Sequence, residues 1–516
     1  MSPRRLLVLV LALGVAGFGF ARGAAEEAAI DAPVRISIAH WEIDQSITGE
    51  PDPVYDLVRE AVGVEIEPVA IGWGDWHDRI NVWAASGELP DAWSTDVVGT
   101  TVYRNWITNG LISPLPDDLT PYPGVYQITR AGDFQAFQVD GKNWFIPRAN
   151  YPDANWWAMD RGVLIRTDWL ENLGLPMPQT REEFIDTMVA FATQDPNQSG
   201  RNDTIGLTAH NAGFLWGAFP ELAPDLAWGG WVKEDGRWVH AAVSQQARRL
   251  YSALRELYRR GGLDEDFAVL GGSEGRDRFG SGRAGALAIQ PAPKHWNQPA
   301  QVWESLNPDT PFEDVTGIVP ARPDENGQRW RFITASYWSE TYINSNVDDR
   351  KMDAILRLYD FLMSDEFQTV KLWGFEGEDY RVHADGSFER LLDPDVWLGA
   401  KYPFLHSMSY WTTWGDENQY DDPMISEGMR NEAREYLEWI LENAKAPDIA
   451  WELDAAAPTL PSYARVNFDV GEDRTTYILS TRSEDAVWND IIGKYNAMGY
   501  QQLEQEMNDY AASIGR

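Results

Sequence analysis

The stretch Val34-Arg35-Ile36-Ser37-Ile38-Ala39-His40-Trp41, read with the residues up to Trp93, decides the fold. Val34, Ile36 and Ile38 alternate with polar or small residues, the period of a β-strand. Pro53 to Val62 then predicts a helix, with Val54, Leu57, Val58 and Ala61 on one face. Val64 and Ile66 alternate again, Asp75 to Ser86 reads as a second amphipathic helix, and Asp91-Ala92-Trp93 as a third short strand. Strands alternating with helices build a parallel sheet, whose ligands bind beyond the carboxyl ends of the strands. Trp41, Trp73 and Trp93 fall at or just past those ends and are singled out for that reason.

Toward the N-terminus, residues 1–5 are basic, Leu6 to Phe20 is almost wholly apolar, and small residues come next, the order of a secretory leader. A leader over residues 1–25 and an exported, periplasmic protein are therefore expected. The chain has no cysteine, which excludes disulfides, thiolate metal sites, a cysteine nucleophile and a lipid-anchor cysteine. Its 80 acidic and 43 basic residues give a formal charge of −37. Such a surface repels phosphate backbones and anionic membranes, so no nucleic-acid partner is expected. The 516 residues suit two large lobes. Tryptophan is abundant, at 25 residues, and its flat apolar face with one N–H donor suits the C–H face and polar rim of a sugar. Most of the helical stripes further on are core: Ala247 to Tyr258, closed by Gly261-Gly262, then Met352 to Leu362, and two final helices carrying Ile491 and Leu503.

Several short motifs, taken in order, resemble one family. They are Gly141-Lys142-Asn143-Trp144-Phe145-Ile146-Pro147-Arg148, Leu164 to Leu170 with Leu173-Gly174-Leu175, and the capping-box helix start Thr180 to Phe184. Trp228-Gly229-Gly230, Asp235 to Trp238, Phe279 to Ile289 and Gly374 to Tyr380 continue the series. Together they are similar to the family 1 extracellular solute-binding proteins of ABC transporters, especially the long members related to alginate- and oligosaccharide-binding proteins. The resemblance implies an α/β, periplasmic-binding-protein-like fold with two lobes, a multi-crossing hinge and a ligand cleft between them. It places residues 32–148 and 291–336 in the first lobe, and 149–290 and 337–516 in the second, with crossings near 146–160, 286–295 and 334–345. It implies a monomeric, non-enzymatic protein that hands a small polar ligand, a sugar or oligosaccharide, to the permease subunits of an importer.

Candidate ligand contacts are Trp41, Glu42, Trp73, Trp93, Arg148, Trp157, Trp296, Trp338, Glu340, Glu376, Trp411 and Trp414. The stretch Asp195-Pro196-Asn197-Gln198-Ser199-Gly200-Arg201-Asn202-Asp203 has calcium-loop spacing. Asp195, Asn197, Ser199, Arg201 through its carbonyl, and Asp203 are the candidate ligands of a structural Ca²⁺. Gly206 stands where such a loop carries its bidentate glutamate. A secreted glycoside hydrolase or lyase is the alternative, and a polar solute other than a sugar is an open choice of ligand. Gly271-Gly272-Ser273-Glu274-Gly275 matches a nucleophile-elbow pattern and reads more simply as a glycine-rich loop.

Overall fold

A computed structural model of the chain describes residues 32–150, 154–226, 230–271, 273–384, 386–393, 396–414 and 419–516. The leader expected over residues 1–25 lies outside them. The chain opens with β1 (Val34–Trp41), the helix Pro53–Val62, β2 (Val64–Ile71), the helix Trp76–Ser86, β3 (Ala92–Thr95) and β4 (Ile146–Ala149). The first helix starts where Asp52 accepts from the backbone N–H of Val54 and Tyr55, and it stops at Gly63, whose φ of 71° is left-handed. Its buried face is Val54, Val58 and Val62, one step round from the predicted stripe, and Ala61 is exposed.

The next group is β5 (Gly162–Arg166), β6 (Ile205–Ala209), the hairpin β7 (Trp231–Glu234) and β8 (Arg237–His240), β9 (Ala284–Ile289) and β10 (Thr316–Ile318). The helix Arg181–Thr193 carries the predicted capping box, with Thr180 accepting from Glu183 N–H and the Glu183 carboxylate accepting from Thr180 N–H. Later in the chain come β11 (Arg329–Trp330) and β12 (Tyr337–Ile343), and then short strands of two-stranded sheets.

The principal sheets define the lobes. The first has the order β2-β1-β3-β12-β4, with β1 parallel to β2 and β3, and β12 antiparallel to β3 and β4. The second has the order β10-β5-β9-β6. The helices Pro53–Val62 and Asp349–Leu362 pack on the first sheet, burying Val58, Ile355, Tyr359 and Leu362. The helices Arg181–Thr193 and Glu274–Gly280 pack on the second sheet, and Gln245–Arg259 and the C-terminal helices Glu484–Met498 and Tyr500–Ser513 share its hydrophobic core.

These cores redraw the expected division of the chain. Trp296, Ala300, Phe312 and Ile318 belong to a second-lobe core. Tyr337, Tyr342, Ile355, Phe404 and Trp411 belong to first-lobe cores, and the chain returns to the second lobe from Tyr420 onward. The cause is local. The helix Pro293–Leu306 after β9 folds back on its own sheet, its Trp296 indole donating to Thr316 Oγ1 at 3.1 Å. β12 instead fills the slot between β3 and β4. The chain therefore changes lobe between β4 and β5 and between β10 and β12, and it lies in a first-lobe core at Trp411 and in a second-lobe core at Tyr420. The expected crossing near 286–295 is an internal turn of the second lobe.

Trp296 is fully buried, so Trp296→Ala should cost about 3–5 kcal/mol of stability. Thermal unfolding checks this, and an unchanged melting temperature would remove Trp296 from the core.

Candidate functional site

Parallel pairing brings the carboxyl ends of β1, β2 and β3 to one edge of the first sheet, and the antiparallel β12 brings its amino end to that same edge. β4 runs antiparallel to β12 and so ends there too, at Arg148-Ala149. Trp41, Trp73, Trp338 and Arg148 meet for this reason. The Trp41 and Trp73 rings stack 5.0 Å apart at 10°. Trp338 lies 5.9 Å from Trp41 and 5.4 Å from Trp414. Trp76 closes the group edge-on, 5.1 Å from Trp41.

Arg148 is buried among these rings. Its guanidinium carbon stands 4.7 Å from the Trp41 ring centre, 5.3 Å from Trp338 and 4.1 Å from Trp414, with Nη1 donating to the Tyr410 carbonyl at 3.1 Å. Burial and then the Arg148 charge hold the neighbouring His40 far below the usual imidazole range. The neutral ring donates from Nε2 to the Ser407 carbonyl and accepts at Nδ1 from the Ser94 hydroxyl, both at 3.2 Å.

The backbone is strained beside this cluster. Glu42 and Ser339, the next residues after Trp41 and Trp338, hold φ of 56° and 64°, left-handed values that non-glycine residues rarely adopt. The β12–β4 register also shifts between Tyr337 and Glu340.

Two cavities open between the lobes on either side of the rings. The smaller, about 240 Å³, has Asp96, Trp338 and Glu340 on one wall and Trp231, Trp451 and Asp454 on the other. The larger, about 930 Å³, has Lys371, Tyr410 and Trp414 on the first lobe and Lys294, Gln298 and Gln301 on the second. Trp338 lines one and Trp414 the other, so the aromatic floor joins them into one interlobe cleft.

The family model for bacterial extracellular solute-binding proteins matches residues 48–369. The chain belongs to that family.

Among relatives of this solute-binding protein, a polygalacturonan/rhamnogalacturonan-binding protein of Bacillus subtilis, YtcQ, is 27% identical over 405 residues, 75% of either chain. The fructooligosaccharide ABC transporter substrate-binding protein FusA of Streptococcus pneumoniae is 27% identical over 243 residues, 42% of this chain and 43% of FusA. The fold is shared with the alginate-binding protein AlgQ2, solved without calcium, at a TM-score of 0.69 and 19% identity, over 94% of this chain and 99% of that one.

Of the residues anticipated from sequence, Trp41, Trp73, Arg148, Trp338 and Trp414 come together. Glu42 stands half-buried beside them. Trp73 is the open face of the cluster, 46% exposed, while Trp41 is covered. The remaining tryptophans lie in cores. Trp93 packs on Trp106 and Tyr342, Trp157 against Phe332, and Trp411 on Tyr359. With Trp296 they are buried, so none offers a face to the cleft. Glu376 is exposed in a turn outside both cavities. Ser273 begins the helix Glu274–Gly280 after a turn rather than after a strand, which is not the setting of a nucleophile elbow. The second-lobe wall, Trp231, Trp451, Asp454 and Tyr463, carries no local signal in the sequence, whereas Trp76 could have been found, since it lies one turn from Trp73.

Glu340 is a clamp. Its Oε1 accepts from the N–H of Val97 at 2.6 Å, the N–H of Val98 at 2.7 Å and the Tyr342 hydroxyl at 2.8 Å, fixing the loop after β3. Burial outweighs these donors and pushes its carboxyl up to about 8. Burial likewise pushes Asp454, across the cavity, up to about 7, although it accepts from Gly230 N–H at 3.1 Å.

In the candidate calcium loop, Asp195 Oδ1 accepts from Ser199 N–H at 2.9 Å, Asp195 Oδ2 accepts from Gly200 N–H at 2.9 Å, and the Ser199 hydroxyl donates to Asp203 Oδ1 at 3.0 Å. Asn197 and Ser199 side chains, both bonded to Asp203, lower its carboxyl below the ordinary value. Among the described residues no group of three or more His, Cys, Asp or Glu is placed to hold a metal. The missing position is physical: Gly206 lies in β6, where a Cβ would come within 2.2 Å of the Met188 carbonyl oxygen.

Both raised carboxyls keep protons that the unfolded chain loses near its ordinary values of 4.5 and 3.8. Their contribution to stability is complete below those values and is lost as pH rises through about 7 and about 8. Glu340→Gln keeps an acceptor for the three donors. Its melting temperature should fall less than the parent's between roughly pH 5.5 and 8.5. Identical pH slopes would refute the assignment.

Proposed function

We propose that this protein is the solute-binding subunit of an ABC importer and captures an oligosaccharide between its lobes. The observation that carries the reading is the half-exposed Trp73 ring, backed by Trp41 and joined to Trp338 and Trp414 across two interlobe cavities. The exposed side of this indole stack offers an apolar surface to the C–H face of a sugar ring. The indole N–H groups of Trp41, Trp76 and Trp414 are buried and find no acceptor among the described residues, and sugar hydroxyls are acceptors. The sugar-binding relatives YtcQ and FusA support the same reading.

Capture works by closure. A ligand touching both lobes binds the closed state better than the open one, and only that difference drives the hinge. The strained residues Glu42 and Ser339 sit where β1 and β12 meet the cleft, so closure can be felt by the backbone there. No group in this account breaks a bond of the ligand. The protein acts after export, in the periplasm, where a capture protein meets its solute before import. Among the described residues no helix is long and apolar enough to cross a membrane.

The loop Asp195–Asp203 suits a weak structural Ca²⁺. Asp195, Asn197, Ser199 and Asp203 supply hard oxygens, with the Arg201 carbonyl as a fifth, and the absence of a bidentate carboxylate at Gly206 places the site at the weak end of such loops.

A thermal-shift screen against oligosaccharides tests the main reading. A ligand at about 100 times its Kd should stabilise by about 2.7 kcal/mol, and the recovered sugar should be uncleaved. Shortened products would transfer the protein to the hydrolase class. Trp73→Ala should weaken binding by roughly 10- to 100-fold, about 1.4–2.8 kcal/mol, with little change in melting temperature. Full affinity in that variant would remove the stack from the site. For calcium, about 10 mM of the ion against a Kd near 1 mM should add about 1.4 kcal/mol relative to chelator, and Asp195→Ala should abolish the gain. Equal melting with and without the ion would leave the loop a plain turn.

A further inference from the structure

The helix Gln245–Arg259 buries Leu250, Leu254 and Leu257 in the second-lobe core and carries a row of guanidiniums on another face. Arg248, Ser252, Arg255 and Arg259 recur at the spacing of one helix face, and Arg249, Glu256 and Arg260 flank them. Together with Arg181, which opens the helix Arg181–Thr193, these residues line a cavity of about 570 Å³. None of its lining residues lines either interlobe cavity.

This is a cationic surface on a chain of formal charge −37. Six arginines share the wall with two carboxylates, Glu256 and Glu484. Three more carboxylates reach in from the sides: Glu182 pairs with Arg181 at 2.5 Å, Asp186 with Arg260 at 2.6 Å, and Asp485 with Arg248. Glu256 also pairs with Arg260, at 3.3 Å, and Glu484 accepts from the hydroxyls of Ser252 at 2.7 Å and Tyr477 at 3.1 Å. The other three guanidiniums donate to backbone carbonyls among the described residues. Arg249 Nε donates to the Leu222 carbonyl at 3.3 Å and Arg259 Nη2 to the Ser480 carbonyl at 3.2 Å. Arg255 Nη2 donates to that same Ser480 oxygen at 2.9 Å and to the Arg482 carbonyl. Asp225, which feels the Arg249 charge, accepts from the Gln246 amide at 2.6 Å, and its burial favours the neutral acid.

Arg255 carries the decisive observation. It is 0% exposed, with its guanidinium carbon 5.4 Å from the Tyr477 ring centre, and its Nε and Nη1 find no acceptor among the described residues. A buried guanidinium short of acceptors is costly, and the like charge of Arg259 one turn on adds to that cost. An anion in the cavity offsets both penalties. Every cation on the wall is an arginine, whose planar fork matches the oxygens of a phosphate group. A lone carboxylate engages one fork, whereas a tetrahedral dianion presents oxygens to several. We infer that this cavity is a second binding site, apart from the interlobe cleft, for a phosphate-type oxyanion held by Arg255 together with Arg249 and Arg259. Its occupant reinforces the link between the helix Gln245–Arg259 and the turn before Glu484, which Arg255 and Arg259 already share through the Ser480 carbonyl. Free phosphate and a phosphorylated lipid headgroup have this chemistry in common.

Calorimetry and thermal shift of the full exported chain with inorganic phosphate, against chloride at matched ionic strength, test the site. Phosphate should bind at least about tenfold more tightly than chloride. Arg249 and Arg259 are exposed, so Arg249→Gln and Arg259→Gln should each weaken phosphate by roughly fivefold or more while keeping the parent's melting temperature in chloride. Arg255→Met should abolish binding; if that buried substitution prevents folding, the two exposed arginines carry the test by themselves. Glu256→Gln removes a repelling wall carboxylate and should tighten phosphate binding, a gain that a damaged fold does not produce. Equal responses to phosphate and chloride, or arginine variants with full affinity, would overturn the inference. Vesicles of phosphatidylcholine with about 20% phosphatidate separate the two sources. Sedimentation with them but not with phosphatidylcholine alone, lost in Arg259→Gln, makes the ligand a headgroup; phosphate binding without sedimentation makes it a soluble phosphate.

Discussion

A guanidinium buried between tryptophan faces is the constraint on which the cleft depends. Removing such a charge from water costs several kcal/mol unless it is well partnered. Arg148 meets that cost with the faces of Trp41, Trp338 and Trp414 and with the Tyr410 carbonyl. These partners come from β1, from β12 and from the segment that leaves the first lobe. Satisfying one side chain on β4 therefore fixes three distant stretches of chain against one another. The same charge, with burial, keeps His40 neutral, and the neutral ring ties β1 to Ser407. The aromatic floor is consequently built into the sheet edge and does not rely on a ligand for its shape.

The tryptophans divide by where their faces point. Trp93, Trp157, Trp296 and Trp411 fill cores on both sides of the hinge and make each lobe rigid. Trp73, Trp338 and Trp414 cover the seam between lobes. A capture protein needs both: lobes stiff enough to move as bodies, and an apolar surface between them that is better buried when they close. Left-handed backbone at Glu42 and Ser339 lies at the border of those two populations, where rigid strand gives way to cleft.

The glycines show how close packing limits what a site can become. Gly206 is required by the approach of β6 to the Met188 carbonyl, and that requirement removes the carboxylate a strong calcium loop would carry. A structural need of the second lobe thus sets the character of a neighbouring ion site.

Much of this was legible in the chain by itself. Period-2 and period-3.6 patterns located the strands and helices of the first lobe, the Thr180–Glu183 box located a helix start, and the rule that parallel sheets bind ligands at their carboxyl edge selected Trp41 and Trp73. These features are local, or derive from strand direction alone. The same rule failed for Trp93, because it fixes where a residue stands along a strand and not which neighbour its ring meets; pairing with Ala39 and Tyr342 turned that ring into the core. Lobe membership failed in the same way, since nothing local to residues 291–343 says that the helix after β9 returns to its own sheet while β12 joins the other. The second-lobe wall and the lysines of the larger cavity come from segments far apart in sequence. Their meeting is a consequence of sheet topology and lobe docking, which decide proximity through contacts that no short stretch of residues encodes.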